Sequence, residues 1–374
     1  MFMVSQRDMN NCGEKMKIAV AMSGGVDSST TAALLKEEGH EVIGLTMRLW
    51  DFPADAPEKP GSCFVPAHVE EARRVAEQIG IPHHVIPLQE IFEKEIIAYF
   101  VDEYLRGRTP NPCVLCNQRI KFHALLKKAE GLGVQALATG HYARIFWDPQ
   151  TLRFKLNRGR DRRKDQSYFL FLLTQEQMAK ILLPLGDKSK TEVREKASRL
   201  RLPVAQKSES QEICFIPDND YRKFVETRKG KEIAITGKIV NRQGQELGRH
   251  HGIYAYTIGQ RRGLGIAAPH PYYVLDLNAE KNFVIVGKNE ELFSAGLLVG
   301  GVNWVSIPPP DGQIEAAVQI RYRHPGAPGI LVPLEEGRVR VDLKMSQRAV
   351  TPGQAAVFYR GDEVLGGGWI EKTL

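Results

Sequence analysis

The apolar run KIAVAM at 17–22 passes through SGGVDSS at 23–29 into TAALLKEEG, and this strand–turn–helix order constrains the chain more than any other feature. A strand feeding a helix through a tight turn must cross over to a parallel neighbour, which in turn has to be covered by helices. The alternation continues. EVIGLTM (41–47), HHVIPL (83–88) and VQALATGHYA (134–143) have strand length, while AHVEEARRVAEQIG sets Ala72, Val75, Ala76 and Ile79 on one helical stripe. IFEKEIIAYFVDEYLRG (91–107) and QRIKFHALLKKAEGLG (118–133) supply two further helices. The spacing predicts an α/β fold with a doubly wound parallel sheet in the N-terminal half.

Beyond about residue 230 helical periodicity fades and short alternating runs take over. In IEAAVQIRYR, Ile314, Ala316, Val318, Ile320 and Tyr322 share one face, with Gln319, Arg321 and Arg323 on the other. RVRVDLKM points Val339, Val341, Leu343 and Met345 inward, and Trp304 and Trp369 read as core of a small C-terminal β-barrel. The expected organisation is a loose polar tail over 1–15, the α/β domain over 16–208, a small central domain over 209–290 and the barrel over 291–374.

Composition narrows the function classes. The hydrophobic share of 43% and charged share of 25% exclude a disordered or collagen-like chain. No apolar run is long enough to span a bilayer, and the first residues lack a secretory core, so a cytoplasmic protein without a membrane partner is expected. Five cysteines are too few and too odd a count for a disulfide framework. A net charge of +7 permits a polyanionic partner without requiring one.

In the glycine-rich turn, Gly24 and Gly25 allow close backbone approach, and Asp27, Ser28 and Ser29 sit where a helix N-terminus favours phosphate. No Lys-Ser/Thr follows, so the turn is not a Walker A loop, and taken alone it reads equally as a capped βα turn. A second constellation is TPNPCVLCNQRIKF (109–122), with SESQEICFIP (208–217) far downstream. The prolines predict a non-helical loop before Cys116 and a helix beginning near Gln118, leaving Cys116 near a helix N-terminus beside Arg119 and Lys121. A CxxC by itself is open to a redox, zinc or iron–sulfur reading. Cys12 and Cys63 read as bystanders. RFKLNRGRDRRK (153–164) sets seven basic residues against Asp161 alone, a candidate phosphate-contacting turn or a solvated hairpin.

SGGVDSS closely resembles the pyrophosphate-binding loop of the N-type ATP pyrophosphatases. NPCVLCNQRIKF, ATGHYAR, KDQSYFL, SQEICF, TIGQRRGLGI, IRYR and TPGQAAVFY…LGGGWI follow in the order seen in the tRNA-specific 2-thiouridylases. The resemblance runs from Met16 to the end. It implies an ATP pyrophosphatase-type sheet and an ATP-dependent enzyme that replaces O2 of the wobble uridine with sulfur in tRNAs for lysine, glutamate and glutamine. It assigns ATP contacts to Ala21, Met22, Ser23, Gly24, Gly25, Val26, Asp27, Ser28, Met47 and Gly140. Cys116 matches the catalytic nucleophile, and Cys214 the cysteine that carries a persulfide from a sulfur-donor protein. Asn111, Pro112 and Cys113 match the target-base contact; Lys164, Asp165, Gln166, His141, Arg321, Tyr322 and Gln354 match further tRNA contacts. Mg²⁺ is expected to accompany ATP, and a Cys116–Cys214 disulfide is expected after sulfur release.

The chain departs from the family pattern where many members have Asp in place of Cys113. Related thiolation enzymes with three such cysteines hold a [4Fe–4S] cluster, so Cys113, Cys116 and Cys214 form a candidate ligand set, weighed against the persulfide scheme. Two other readings compete: another adenylating tRNA-modifying ligase of the same superfamily, and a non-catalytic RNA-binding module.

Overall fold

The computed structural model describes residues 15–50, 66–208, 213–216 and 219–374. Cys12, Cys63 and the expected tail, Lys15 excepted, lie outside them.

Five strands form the N-terminal sheet: β1 (Lys17–Ala21), β2 (Glu41–Arg48), β3 (His83–Pro87), β4 (Ala136–Ala138) and, later in the chain, β7 (Ile181–Leu182). Their order is β3-β2-β1-β4-β7, all neighbours parallel. Successive side chains leave opposite faces, so Ala19 and Leu45 join one core while Ile18, Val20 and Val42 join another. Helices α1 (Val26–Glu37) and α2 (Pro66–Ile79) cover the second core through Ala32, Leu35, Ala72, Val75 and Ala76. The first core is covered by α3 (89–105) and α4 (112–130), through Phe92, Ile96, Phe100, Ile120 and Phe122. Strand order reverses between β1 and β4. In an open parallel sheet, that reversal opens a crevice at the carboxyl ends of the two strands.

The helix expected from Gln118 begins instead at Pro112, with Asn111 at its N-cap position. Proline is suited to the first helical position, because the N–H it lacks would have no intrahelical partner there. Both α3 and α4 carry π-helical stretches, at Glu93–Ile97 and Cys116–Leu125.

Strands β5 (Ala143–Asp148) and β6 (Arg153–Arg158) form an antiparallel hairpin that leaves the α/β unit. The central unit is a four-stranded sheet of β8 (Gly237–Val240), β9 (Glu246–His250), β10 (Tyr273–Asn278) and β11 (Phe283–Gly287), over a small core of Ile239, Val274, Val284 and Val286. Strands β12 (Phe293–Asn303), β13 (Ile314–Gln319), β14 (Ala327–Pro333), β15 (Val339–Arg348), β16 (Ala355–Arg360) and β17 (Glu363–Thr373) close into a six-stranded barrel by the β12–β17 pairing. Glu363 of β17 also pairs with Asn157 of β6, so the hairpin extends the barrel sheet.

Three details of the expected barrel are corrected. Met345 is 70% exposed, because β15 bulges against β12 between the Gly296–Asp342 and Ser294–Gln347 pairs and the inward alternation stops at Leu343. Gln319 is buried, its Oε1 accepting from Arg158 across the hairpin junction. Trp369 lies between Tyr99 of α3 and Phe171, part of the contact with the α/β unit, whereas Trp304 packs on the barrel core near Phe358. No described helix is long and apolar enough to cross a membrane.

Candidate active site

The glycine-rich turn sits at the β1–β4 crevice. Ala21 ends β1, Met22 donates its N–H to Leu45 O (2.8 Å), and Ser28 Oγ accepts from Ser23 N (3.1 Å) while donating to Gly25 O (3.2 Å). Gly24 has φ +68°, and a Cβ there would lie 2.5 Å from the carbonyl oxygen of His68, so glycine is required twice over. Val26 opens α1 after Gly25, and no side chain caps this helix N-terminus. From the other strand, Gly140 packs so closely that a Cβ would come 2.8 Å from the Asp27 carbonyl carbon. Met47 is buried within the core.

The Asp27 carboxylate is held by two other side chains. Lys190 Nζ bonds Oδ1 at 2.7 Å and Oδ2 at 2.8 Å, and the Tyr142 hydroxyl donates to Oδ1 at 2.8 Å. On the opposite side Lys207 Nζ donates to Gly24 O (3.3 Å), pairs with Glu71 and lies 3.3 Å from His68 Nδ1. Burial, with Lys207 second, pushes the His68 imidazole below its ordinary range. Sequence reasoning missed Lys190 and Lys207. The capping box Ser189–Glu192 is readable in the sequence and starts α5 (Lys190–Arg199), but nothing local says that its first residue reaches Asp27.

Cys113 is exposed in the first turn of α4, and Cys116, one turn further on, is half-buried. Arg119, expected to lend its charge to Cys116, is paired with Glu95 at 2.5 Å. Cys214 is also half-buried, and its neighbour Phe215 inserts among Phe92, Phe100 and Phe224 with ring separations of 5.1–5.7 Å. Cys116 and Cys214 therefore pack against the same core. Gln211 and Glu212 of the SQEICF motif lie outside the described residues. Among the described residues no three His, Cys, Asp or Glu side chains are grouped to hold a metal ion.

The basic stretch is far less solvated than its sequence implies. Lys155 bonds Glu363 (3.0 Å), Arg158 bonds Asp165 (2.9 Å) and lies over the Tyr359 ring, Arg160 pairs with Glu192 and Arg162 with Asp362. Asp165 is buried and also accepts from Gly159 N, Ser167 N and Ser167 Oγ. Arg163 is exposed and Lys164 half-buried. Gln166 bonds the backbone of Tyr142. His141 is buried with Nδ1 2.6 Å from Thr139 Oγ1; burial first, then Lys121, drives its pKa well down. Arg321 is exposed, and the Tyr322 ring lies 4.5 Å from that of Phe169. Asn111 is buried beside the Tyr168 hydroxyl, in the loop that Gln354 contacts from the barrel. The stretch from Asn111 to Cys113 and the Arg321–Tyr322 turn are thus joined through Tyr168 and Phe169.

Residues 16–218 match the family described as tRNA methyl transferase HUP domain, residues 222–288 its PRC-barrel domain, and residues 294–370 the aminomethyltransferase beta-barrel domain. The tRNA-specific 2-thiouridylase MnmA of Geobacter metallireducens is 56% identical over 363 residues, covering 96% of this chain and 98% of its own. That of Geotalea uraniireducens is 54% identical over 364 residues, covering 96% of each chain. That of Carboxydothermus hydrogenoformans is 51% identical over 368 residues, covering 98% of this chain and all of its own.

Proposed function

The chain belongs to the tRNA-specific 2-thiouridylase family, a family of ATP-using tRNA-uridine 2-sulfurtransferases, and from that premise we propose how its own residues divide the work. The substrates are the wobble uridines of tRNAs for lysine, glutamate and glutamine, modified in the cytoplasm. The turn from Ala21 to Ser28, with Met47 and Gly140, holds ATP. Mg²⁺ arrives on the nucleotide phosphates; Asp27, with Lys190 across both oxygens, is not assigned to it. The exposed and half-exposed groups Arg163, Lys164, Arg321 and Tyr322 meet RNA, and Asn111, Pro112 and Cys113 face the target base.

A uridine carbonyl has no leaving group. Attack of O2 on the α-phosphorus of ATP expels pyrophosphate and creates one. The terminal sulfur of a Cys214 persulfide, loaded by a sulfur-donor protein, then attacks C2; the C2–S bond forms, the C2–O bond breaks and AMP departs. The Cys116 thiolate attacks Cys214 Sγ, releasing thiouridine and leaving a Cys116–Cys214 disulfide that an external thiol reduces by two electrons. The observation that carries this reading is the packing of both half-buried cysteines against one core. No step is routed through an iron–sulfur cluster.

The test is anaerobic thiolation of tRNA with AMP measured in the same reaction. Thiouridine and AMP formed together support the reading. AMP with a product lacking sulfur favours an adenylating ligase, and neither product favours an RNA-binding module. Activity that tracks iron and sulfide content would replace the persulfide scheme by the cluster.

A further inference from the structure

Asn111 stands at the N-cap position of α4, where an asparagine ordinarily turns its side-chain oxygen back to a backbone N–H of the first turn. Here the side chain makes no such bond. It meets the Tyr168 hydroxyl instead. That hydroxyl has a single proton, which it donates to the carbonyl oxygen of Ala355 in β16 at 2.9 Å; a carbonyl can only accept, so the proton is committed. Burial, with Tyr359 second, pushes the pKa of this phenol up, and the proton stays in place. Towards Asn111 the Tyr168 oxygen can therefore only accept, and the bond runs from Asn111 Nδ2. An asparagine amide is nearly symmetric in shape but not in polarity, and this contact fixes which way round it sits. Among the described residues nothing donates to Asn111 Oδ1. The backbone is held too, since Gln354 bonds the carbonyls of Thr109 and Pro110 just before it. Asn111 keeps 9% of its surface, two positions from the exposed Cys113.

We propose that Tyr168 is a positioning residue that makes the site choose uridine over cytidine, by presenting Asn111 to the target base with Oδ1 as acceptor and the second Nδ2 proton as donor. This rests on the thiolation reading above, in which Asn111 faces that base. An everted base is read on its Watson–Crick edge. Uracil offers N3–H as a donor and O4 as an acceptor there, and the amide takes both while O2 stays free for the α-phosphorus. Cytosine offers the opposite pair, a bare N3 and an N4 amino group. The same amide would set its oxygen against the N3 lone pair and its N–H against the amino protons. Turned over, it would fit cytosine as well as it now fits uracil. The choice of base is thus set from the barrel, through Ala355 O and a buried hydroxyl that touches no RNA.

The experiment uses one tRNA prepared with uridine, cytidine or 3-methyluridine at the wobble position, and measures pyrophosphate release and the thiolated nucleoside for the wild type, Tyr168→Phe and Asn111→Ala. The wild type is expected to prefer uridine over cytidine by about a hundredfold or more in kcat/KM, the worth of a good bidentate contact, and to refuse 3-methyluridine. Tyr168→Phe keeps the ring and frees the amide to turn, so the preference falls about tenfold or more, and part of that change is a gain on cytidine. A merely structural defect lowers all three substrates together and gives no such gain. Asn111→Ala, which removes no helix cap, loses about tenfold or more on uridine and ceases to distinguish it from 3-methyluridine. Preference unchanged in Tyr168→Phe, uniform loss without a gain on cytidine, or 3-methyluridine accepted by the wild type each overturns the proposal. If Tyr168→Phe fails to fold, Asn111→Ala decides: continued refusal of 3-methyluridine overturns the proposal. Wild-type enzyme that forms no thiouridine on the uridine tRNA overturns the functional reading instead, so the two failures are told apart in one assay.

Discussion

Gln354, at the mouth of the barrel, donates its side-chain amide to the carbonyl oxygen of Thr109 at 3.0 Å, and to that of Pro110 at 3.4 Å. Thr109 N–H returns a bond to Pro352 O, and Gly353 sits so close that a Cβ would meet Thr109 O at 2.9 Å. A loop of the C-terminal barrel thus holds the segment that leads into Pro112, Cys113 and Cys116, although 245 positions separate the two residues. Gln354→Leu is expected to lower the kcat of thiolation about tenfold at unchanged KM for ATP. It should cost about 1–2 kcal/mol of stability, the net worth of two such bonds. Steady-state kinetics and urea unfolding read the two effects separately.

Charge removal within 153–164 is expected to split into two classes. Arg158, wedged between Asp165 and the Tyr359 ring, is part of the folded core, so Arg158→Ala should destabilise the protein by about 3 kcal/mol, as for breaking a buried pair. Arg163 is exposed, so Arg163→Ala should leave unfolding unchanged while weakening tRNA binding and reducing its salt slope by about one. Denaturation curves and tRNA affinity against salt concentration separate the classes.

The α/β half was legible because its central strands are buried on both faces and its helices carry clear stripes, as in KIAVAM and in Ala72, Val75 and Ala76. The barrel was legible as alternation but not in detail, since a bulge that exposes Met345 has no local signature. The nucleotide turn could be read from its glycines. Its charge partners could not: Lys190 and Lys207 reach it from 163 and 183 positions away. The basic run shows the opposite error. Seven cations in twelve residues suggest a solvated RNA surface, yet Glu363, Asp165, Glu192 and Asp362, all outside the run, neutralise four of them.

Stability is expected to fall as pH drops through the histidine range. In the folded protein burial holds His141 well below its ordinary pKa near 6.5, and His68, His83, His250 and His324 are lowered for the same leading reason. Below pH 6.5 the unfolded chain takes up protons that the folded chain refuses, so unfolding is favoured. Each fully excluded proton contributes about 1.4 kcal/mol per pH unit until the folded-state pKa is reached. His141→Gln should flatten the dependence of unfolding free energy on pH between 6.5 and 5 by close to one proton, leaving the profile above pH 7 unchanged. Urea unfolding at a series of pH values checks it.

The cysteine substitutions discriminate between two-thiol and three-thiol chemistry. Cys113 is exposed, whereas Cys116 and Cys214 are half-buried against one core, and a two-thiol mechanism asks nothing of the Cys113 sulfur. Cys116→Ala and Cys214→Ala are expected to abolish thiouridine formation, a fall of at least about a thousandfold for loss of a covalent participant, whereas Cys113→Ala retains most of it. The Cys116→Ala enzyme should still release pyrophosphate with tRNA, because adenylation precedes the thiol step. It should also accumulate tRNA joined to Cys214 through a reducible sulfur bridge, visible as a gel shift that dithiothreitol reverses. Equal loss in all three variants, with iron and sulfide present in the wild type at stoichiometric level, would instead assign the three thiols to one cluster and overturn the two-thiol scheme.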